Sequence, residues 1–297
     1  MADRVQNSNK DDEFYRYLRA AVKKAQRKAR AKAKRPPKPV VVYEPRVVCW
    51  IDILGFGKAV RETLDADGRI IQEKVDRIAR AINRMREHVS MPKEFRSARP
   101  KSMRAEQFSD SILISFHISP SQILETLIDV ELIIIDLIMM GFPARGYVSY
   151  GQMVHTKDMF FGPAFLDAYE GEKLAIFPRV IVDERMVILM KQNLRHDTDI
   201  VRSVTKNDED GLWYIDYFGG AEGAVDDQYA AAQYYDALRR LIQDGLKIRD
   251  RRTRQKYAWM RTKYNQMLRL FKYNIRNSSS HPAPELEAFY LKQNLIR

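Results

Sequence analysis

Between Arg46 and His155 the apolar residues change their spacing in an order that few folds accommodate. Arg46 to Asp52 is a run of β-branched and aromatic residues ended by Gly55 and Gly57, the pattern of a buried strand. Ile71, Val75, Ile78, Ile82, Met85 and Val89 then recur at steps of three and four, which places them on one face of a long helix. Arg104 to Asp110 and Ser111 to His117 read as two strands with a tight turn near Asp110, because Ile112, Ile114 and Phe116 alternate onto one face. A second helix is expected from about Pro120 to Met140, with Ser119 as N-cap and Gly141 at C′, and Arg145 to His155 returns as a strand. Strand, helix, strand, strand, helix, strand predicts an α+β fold: a ferredoxin-like antiparallel sheet with crossover helices.

Beyond this unit the sequence predicts a short helix from Pro163, a strand over Ile176 to Asp183, a helix from Glu184 and a hairpin around Asn207-Asp208-Glu209-Asp210-Gly211. From about Asp227 the chain reads as helical to about Tyr273, in two segments. The expected organisation is a basic N-terminal arm over residues 1–39, a catalytic domain over 40–226, and a C-terminal helical segment and tail over 227–297. With 297 residues, 45% of them hydrophobic, the chain can bury a sizeable core.

Several function classes lose support on composition. The most apolar stretch, Ile123 to Met140, carries Glu125, Asp129, Glu131 and Asp136, each costly in a bilayer, so it reads as a core helix and no membrane association is expected. The single Cys49 cannot form an internal disulfide, and no signal-peptide pattern opens the sequence, which together suggest a reducing, cytoplasmic location. The five histidines show no zinc spacing, and no Gly-x-Ser-x-Gly elbow marks a covalent nucleophile. A net charge of +12 invites a nucleic-acid partner, yet nine cations and no acid lie between Lys23 and Lys38, leaving only +3 for everything that follows. Such a block beside Pro36-Pro37-Lys38-Pro39 reads as a solvated arm, and nucleic acid is not the expected partner.

The chemistry is concentrated in two acids. Asp52 ends the first strand and Asp110 sits on the hairpin, strands that the inferred unit makes sheet neighbours, so two carboxylates can meet at one sheet edge. Hard divalent ions such as Mg²⁺ or Mn²⁺ take oxygen ligands of this kind and keep positions open for phosphate and water. Each acid also has a purely structural reading, Asp52 as a helix cap and Asp110 as a turn residue. Ile53-Leu54-Gly55-Phe56-Gly57 follows Asp52 as a strand-to-helix turn whose glycines would let backbone amides approach a triphosphate.

Asp52-Ile53-Leu54-Gly55-Phe56 and Ser109-Asp110-Ser111 resemble the two metal motifs of the class III nucleotidyl cyclases. Arg145-Gly146 with Gly151, Phe161-Gly162-Pro163-Ala164, Ala168-Tyr169 with Glu172, and Phe177-Pro178-Arg179-Val180 are similar to the bacterial pyrimidine cyclases of the Pycsar antiphage systems. The resemblance spans roughly Val47 to Glu184. It implies a class III cyclase-like fold, a homodimer with each active site between two chains, and two divalent metals, Mn²⁺ or Mg²⁺. The implied reaction cyclises a pyrimidine nucleoside triphosphate, UTP before CTP, to a messenger read by a separate effector.

The same resemblance implies roles residue by residue. Asp52 and Asp110 would bridge the metals, and the carbonyl of Ile53 would complete one of them. Amides of Leu54, Gly55, Phe56 and Gly57 would hold the triphosphate. Leu166 and Glu170 stand where the wider family has its transition-state Asn and Arg, so Arg145, Lys157 and Arg179 become the candidates to stabilise developing charge. Glu106 and Met159 replace the Lys and Asp of purine-reading members; Met159 would fill space that a smaller base leaves, Glu106 would position another donor, and Trp50 would shape the pocket. A noncatalytic ferredoxin-like RNA-binding module and a palm-type two-metal nucleotidyltransferase are the alternatives.

Overall fold

The computed structural model describes residues 23–24, 41–89, 102–117, 120–193, 204–220, 228–277, 282 and 284–297. The chain divides into two units, residues 1–42 and 43–297. Of the first, residues 23–24 are helical and 41–42 have no regular structure.

The second unit is α+β. Its described elements begin with β1 (Glu44–Ile53), α1 (Phe56–Arg61), α2 (Gln72–Val89), β2 (Arg104–Phe108), β3 (Ser111–His117), α3 (Pro120–Met139) and β4 (Ala144–His155). They continue with β5 (Phe160–Phe161), α4 (Pro163–Gly171), a 3₁₀ turn (Glu172–Leu174), β6 (Val180–Val182), α5 (Glu184–Asn193), β7 (Thr205–Asn207) and β8 (Trp213–Ile215). Three helices close the chain: α6 (Gln228–Leu246), α7 (Arg251–Asn277) and α8 (Pro284–Lys292). The sheet runs in the order β2-β3-β1-β4-β6-β8-β7, with β5 added to the end of β4. Every pairing is antiparallel except the parallel β4–β6.

β1 is central and buried on both faces, which is why its sequence is a continuous apolar run rather than an alternation. Its odd-numbered residues Val47, Cys49 and Ile51 join Ile112, Ile114 and Phe116 of β3 on one face, in the main core. Ile78, Ala81 and Met85 of α2, the apolar side of α3, and Tyr234, Leu238, Trp259 and Tyr264 of α6 and α7 complete that core. The helical segment after residue 227 therefore shares the core of the sheet, and its burial is what holds it there. The even-numbered side, with Val48, Trp50 and Leu113, is covered by Ala164 and Ala168 of α4 in a second, smaller cluster.

α3 ends as its sequence predicts. Gly141 takes the left-handed conformation (φ 81°), the Phe142 amide donates to the Leu137 carbonyl at 2.8 Å, and the Gly141 amide donates to Ile138 at 2.9 Å, a Schellman cap. Ser119 lies outside the described residues. Of the acids in α3, Asp136 pairs with Arg84 and His88 of α2, and Glu131 is buried. Among the described residues no helix is long and apolar enough to cross a membrane.

Four expectations need correction. The strand predicted over Ile176 to Asp183 is only Val180–Val182, because Pro178 has no amide to donate and the Ile176 amide turns back to the Leu174 carbonyl. Ile71 precedes its helix and bonds the Thr63 carbonyl, closing a loop that the periodicity did not reveal. The last long helix runs on to Asn277, past Tyr273, and α8 follows as a third helix where two were expected.

Candidate active site

Pairing brings the two acids together. The β1–β3 register sets Asp52 opposite Ser111, and the β2–β3 turn is the two residues Ser109 and Asp110, immediately before it. Ser109 takes a left-handed backbone (φ 52°), uncommon for a residue with a Cβ and a sign of a turn held by its surroundings. The Ile53 amide donates to the Asp110 carbonyl at 3.1 Å, tying the end of β1 to that turn. Ser111 donates its hydroxyl to Asp52 Oδ1 at 2.9 Å. Burial raises the pKa of the Asp52 carboxyl; the Ser111 hydrogen bond opposes this, the neighbouring Asp110 charge adds to it, and Arg145 lowers it.

Arg145 reaches Asp52 from the other side. The β1–β4 register sets it opposite Asp52, with Nε 3.5 Å from Asp52 Oδ2. The same Nε pairs with the carboxylate of Glu172, from the turn that ends α4. Burial raises the pKa of Glu172, although the Arg145 charge works against it. Ser111, Asp52 and Arg145 thus form a row across three strands, closed at one end by the Asp110 turn and at the other by Glu172.

An aromatic floor lies next to this row. Trp50, two residues before Asp52 on the same face, stacks on Phe108 at 6.0 Å and meets Tyr169 edge-on at 5.4 Å and Phe165 at 5.9 Å. Glu106 shares its cross-strand row, through Leu113, with Trp50. α4 comes close to the sheet because its contact residues are small. A Cβ on Gly171 would come within 2.6 Å of the Tyr147 ring, and one on Gly162, at φ 145°, within 2.7 Å of the Gln152 carbonyl. Phe108 and Tyr169 remain 42% and 44% exposed, so the floor has an open edge.

The remaining predicted residues are placed elsewhere or are already engaged. The Leu54 amide donates to the Pro143 carbonyl at 2.8 Å, which removes it from any phosphate cradle. Gly55 is left-handed and starts the six-residue α1, so the first-turn amides of Phe56 and Gly57 have no acceptor within the helix. The Phe56 side chain packs on the main core. Arg179 is 1% exposed; its guanidinium pairs with Asp208 and Asp210 and lies over Phe177 and Trp259, so it is a structural cation rather than a free one. Met159 and Lys157 are exposed in the turn between β4 and β5, and the Met159 carbonyl closes that turn by accepting the Thr156 amide.

Sequence reasoning missed Ser111, Phe108 and Glu172 as site residues. Ser111 and Phe108 flank the Ser109-Asp110 turn, and Glu172 stands three residues beyond Tyr169 in a stretch already singled out by resemblance, so position alone could have flagged them.

Among the described residues no group of three or more His, Cys, Asp or Glu side chains converges. The site offers two acids with hard oxygen donors, one of them half-buried beside a like charge, an arrangement that a divalent cation would relieve and that leaves coordination positions for ligand oxygens. No protein-family model matches the chain, and no curated protein matches it.

Proposed function

We propose that this chain is a nucleotide cyclase that converts a pyrimidine nucleoside triphosphate, UTP before CTP, to the 3′,5′-cyclic monophosphate and pyrophosphate. The observation that carries the reading is the placement of Asp110, on the β2–β3 turn, beside Asp52 at the end of β1, where β1–β3 pairing and the bond from the Ile53 amide to the Asp110 carbonyl hold the turn. Asp52, Asp110 and the Ile53 carbonyl would hold two ions, Mn²⁺ or Mg²⁺. Bound there, the ions would lower the pKa of the ribose 3′-hydroxyl and neutralise the departing pyrophosphate.

The chain's own residues do the rest. Ser111 and Arg145 hold Asp52 in place from either side. Arg145 is also the cation near enough to the acids to balance charge that builds on the phosphates, with Glu172 fixing its orientation. Trp50, Phe108 and Tyr169 supply an apolar surface for a base, beside which Glu106 can position a donor. The β2-β3-β1-β4 order, antiparallel throughout, is the arrangement of a ferredoxin-like unit and supports the class III cyclase-like fold. Phe108, Phe161, Leu166 and Tyr169 leave an exposed apolar strip on this side, which a second copy of the chain would cover in a homodimer. The product would act through a separate effector that senses the cyclic nucleotide.

The test is to incubate the full chain separately with ATP, GTP, CTP and UTP plus Mn²⁺ and to identify products by mass spectrometry. A cyclic pyrimidine monophosphate is expected, with kcat/KM above that for purines by about tenfold or more, equivalent to ~1.4 kcal/mol of discrimination. Equal rates with all four would remove the pyrimidine assignment. No cyclic product from any of them would remove the reading.

A further inference from the structure

A cleft of about 840 Å³ opens where the first half of α7 faces the end of α4. Five cations line it: Arg145 from β4, Lys173 from the 3₁₀ turn, and Arg252, Lys256 and Arg261 from α7. Among the described residues Glu209 is the one lining carboxylate, and it already accepts from Lys263 at 3.2 Å. Among the described residues no carboxylate forms an ion pair with Lys173, Arg252, Lys256 or Arg261.

Cations outnumber carboxylates around this space, and their like charge is felt at Lys256. Burial holds its pKa below that of an ordinary lysine, and the charge of Arg145 lowers it further, against the pull of Asp250 and Glu172. α7 docks on the core through Trp259, Met260 and Tyr264, with Trp259 also forming part of the cleft wall beside Arg252 and Lys256. A concave site in which cations outnumber carboxylates is the arrangement expected where a ligand supplies negative charge.

Two contacts tie the cleft to the acids. Arg145 lines the cleft and also bonds Asp52. Lys173 lies 5.4 Å from the centroid of the Tyr169 ring, whose other neighbour is Trp50 of the aromatic floor. Arg145 is thus the residue shared by the cleft and the Asp52 site.

We propose that this cleft binds a polyphosphate, the β- and γ-phosphates of a nucleotide whose reacting end lies at Asp52 and Asp110, with Arg252 and Lys256 of α7 as principal contacts. Guanidinium and ammonium groups arrayed around a pocket of this size suit adjacent phosphates, which present many acceptor oxygens to several donors at once. The polyanion site stands on the cleft's own residues; its assignment to a nucleotide rests on the cyclase reading. The C-terminal helical segment is then part of the substrate site rather than an appendage to it.

Calorimetric titration of the full chain with inorganic tripolyphosphate, in EDTA so that metal bridging plays no part, tests the cleft directly. Arg252→Gln combined with Lys256→Gln should weaken binding by about tenfold or more, while Arg276→Gln, at the far end of the same helix, should change it by less than about twofold. Lys256→Arg should retain binding, and matching thermal unfolding curves will show that the variants fold.

Absence of binding by the wild-type chain, an equal loss in the Arg276 variant, or tighter binding of a single-stranded RNA than of tripolyphosphate would each overturn the proposal. The two readings separate cleanly. Polyphosphate binding that depends on Arg252 and Lys256, in a chain that forms no cyclic product, would keep the cleft and discard the cyclase. Cyclase activity with KM for the triphosphate unchanged in the double variant would do the reverse.

Discussion

Replacing Glu131 with Gln should remove a loss of stability that sets in as pH rises. The Glu131 side chain, 2% exposed, projects from α3 against the turn over residues 216–220, and among the described residues its Oε1 has no hydrogen-bond partner. The fit is close enough that a Cβ on Gly220 would lie 2.0 Å from that oxygen. Burial, with a further contribution from the Asp216 charge, raises the carboxyl from 4.5 to about 8. The unfolded chain releases this proton near pH 4.5 and the folded chain keeps it to about 8, so the contribution to stability is complete below 4.5 and is lost progressively up to 8. The slope is about 1.4 kcal/mol per pH unit, on the order of 5 kcal/mol across the window.

Gln has the same shape and no proton to lose. Urea unfolding of both proteins across this range should show equal stability at the acid end and a growing advantage for Glu131→Gln toward pH 8, level beyond it. Other titrating groups cancel in the difference, so a difference independent of pH would refute the reasoning.

The other predictions concern the site and its supports. Asp52→Asn and Asp110→Asn should each cut product formation by about 100-fold or more at saturating Mn²⁺ while leaving the fold intact, since volume is kept and what is lost is metal-binding charge and, at Asp52, the 3.5 Å pairing with Arg145; retained turnover in both would discard the two-metal assignment. Asp208→Ala should destabilise by about 3 kcal/mol in chemical denaturation, because it strips partners from the buried Arg179, Lys263 and the Trp259 indole together. Gly171→Ala should also destabilise, by roughly 1–3 kcal/mol, since a Cβ set 2.6 Å from the Tyr147 ring outweighs the ~1 kcal/mol by which Ala favours a helix; an increase in melting temperature would contradict that packing.

The parts of this fold that were legible in the sequence are those long enough to show a pattern. β3 and α2 carry enough apolar residues to distinguish a step of two from a step of 3.6, β1 declares itself as a continuous β-branched and aromatic run ended by glycines, and the Gly141 cap needed no tertiary contact to predict. A two-residue strand such as β5 or a six-residue helix such as α1 spans no more than one or two periods, too few to show a pattern. The site follows the same division. Asp52 and Asp110 could be placed because strand order follows from element order. Arg179 could not, since its partners Asp208 and Asp210 arrive about thirty residues later across the β6–β8 pairing, and before they arrive a lone Arg beside a strand looks free. Lys256 is further still from Arg145 in sequence, and only the docking of α7 on the core through Trp259, Met260 and Tyr264 brings the two cations to one cleft. Apolar burial decides where α7 lies, and the cations of its first half follow; the convergence of Arg252, Lys256 and Arg145 on one cleft is a property no local pattern encodes, and the polyphosphate proposed for that cleft would offset their like charge.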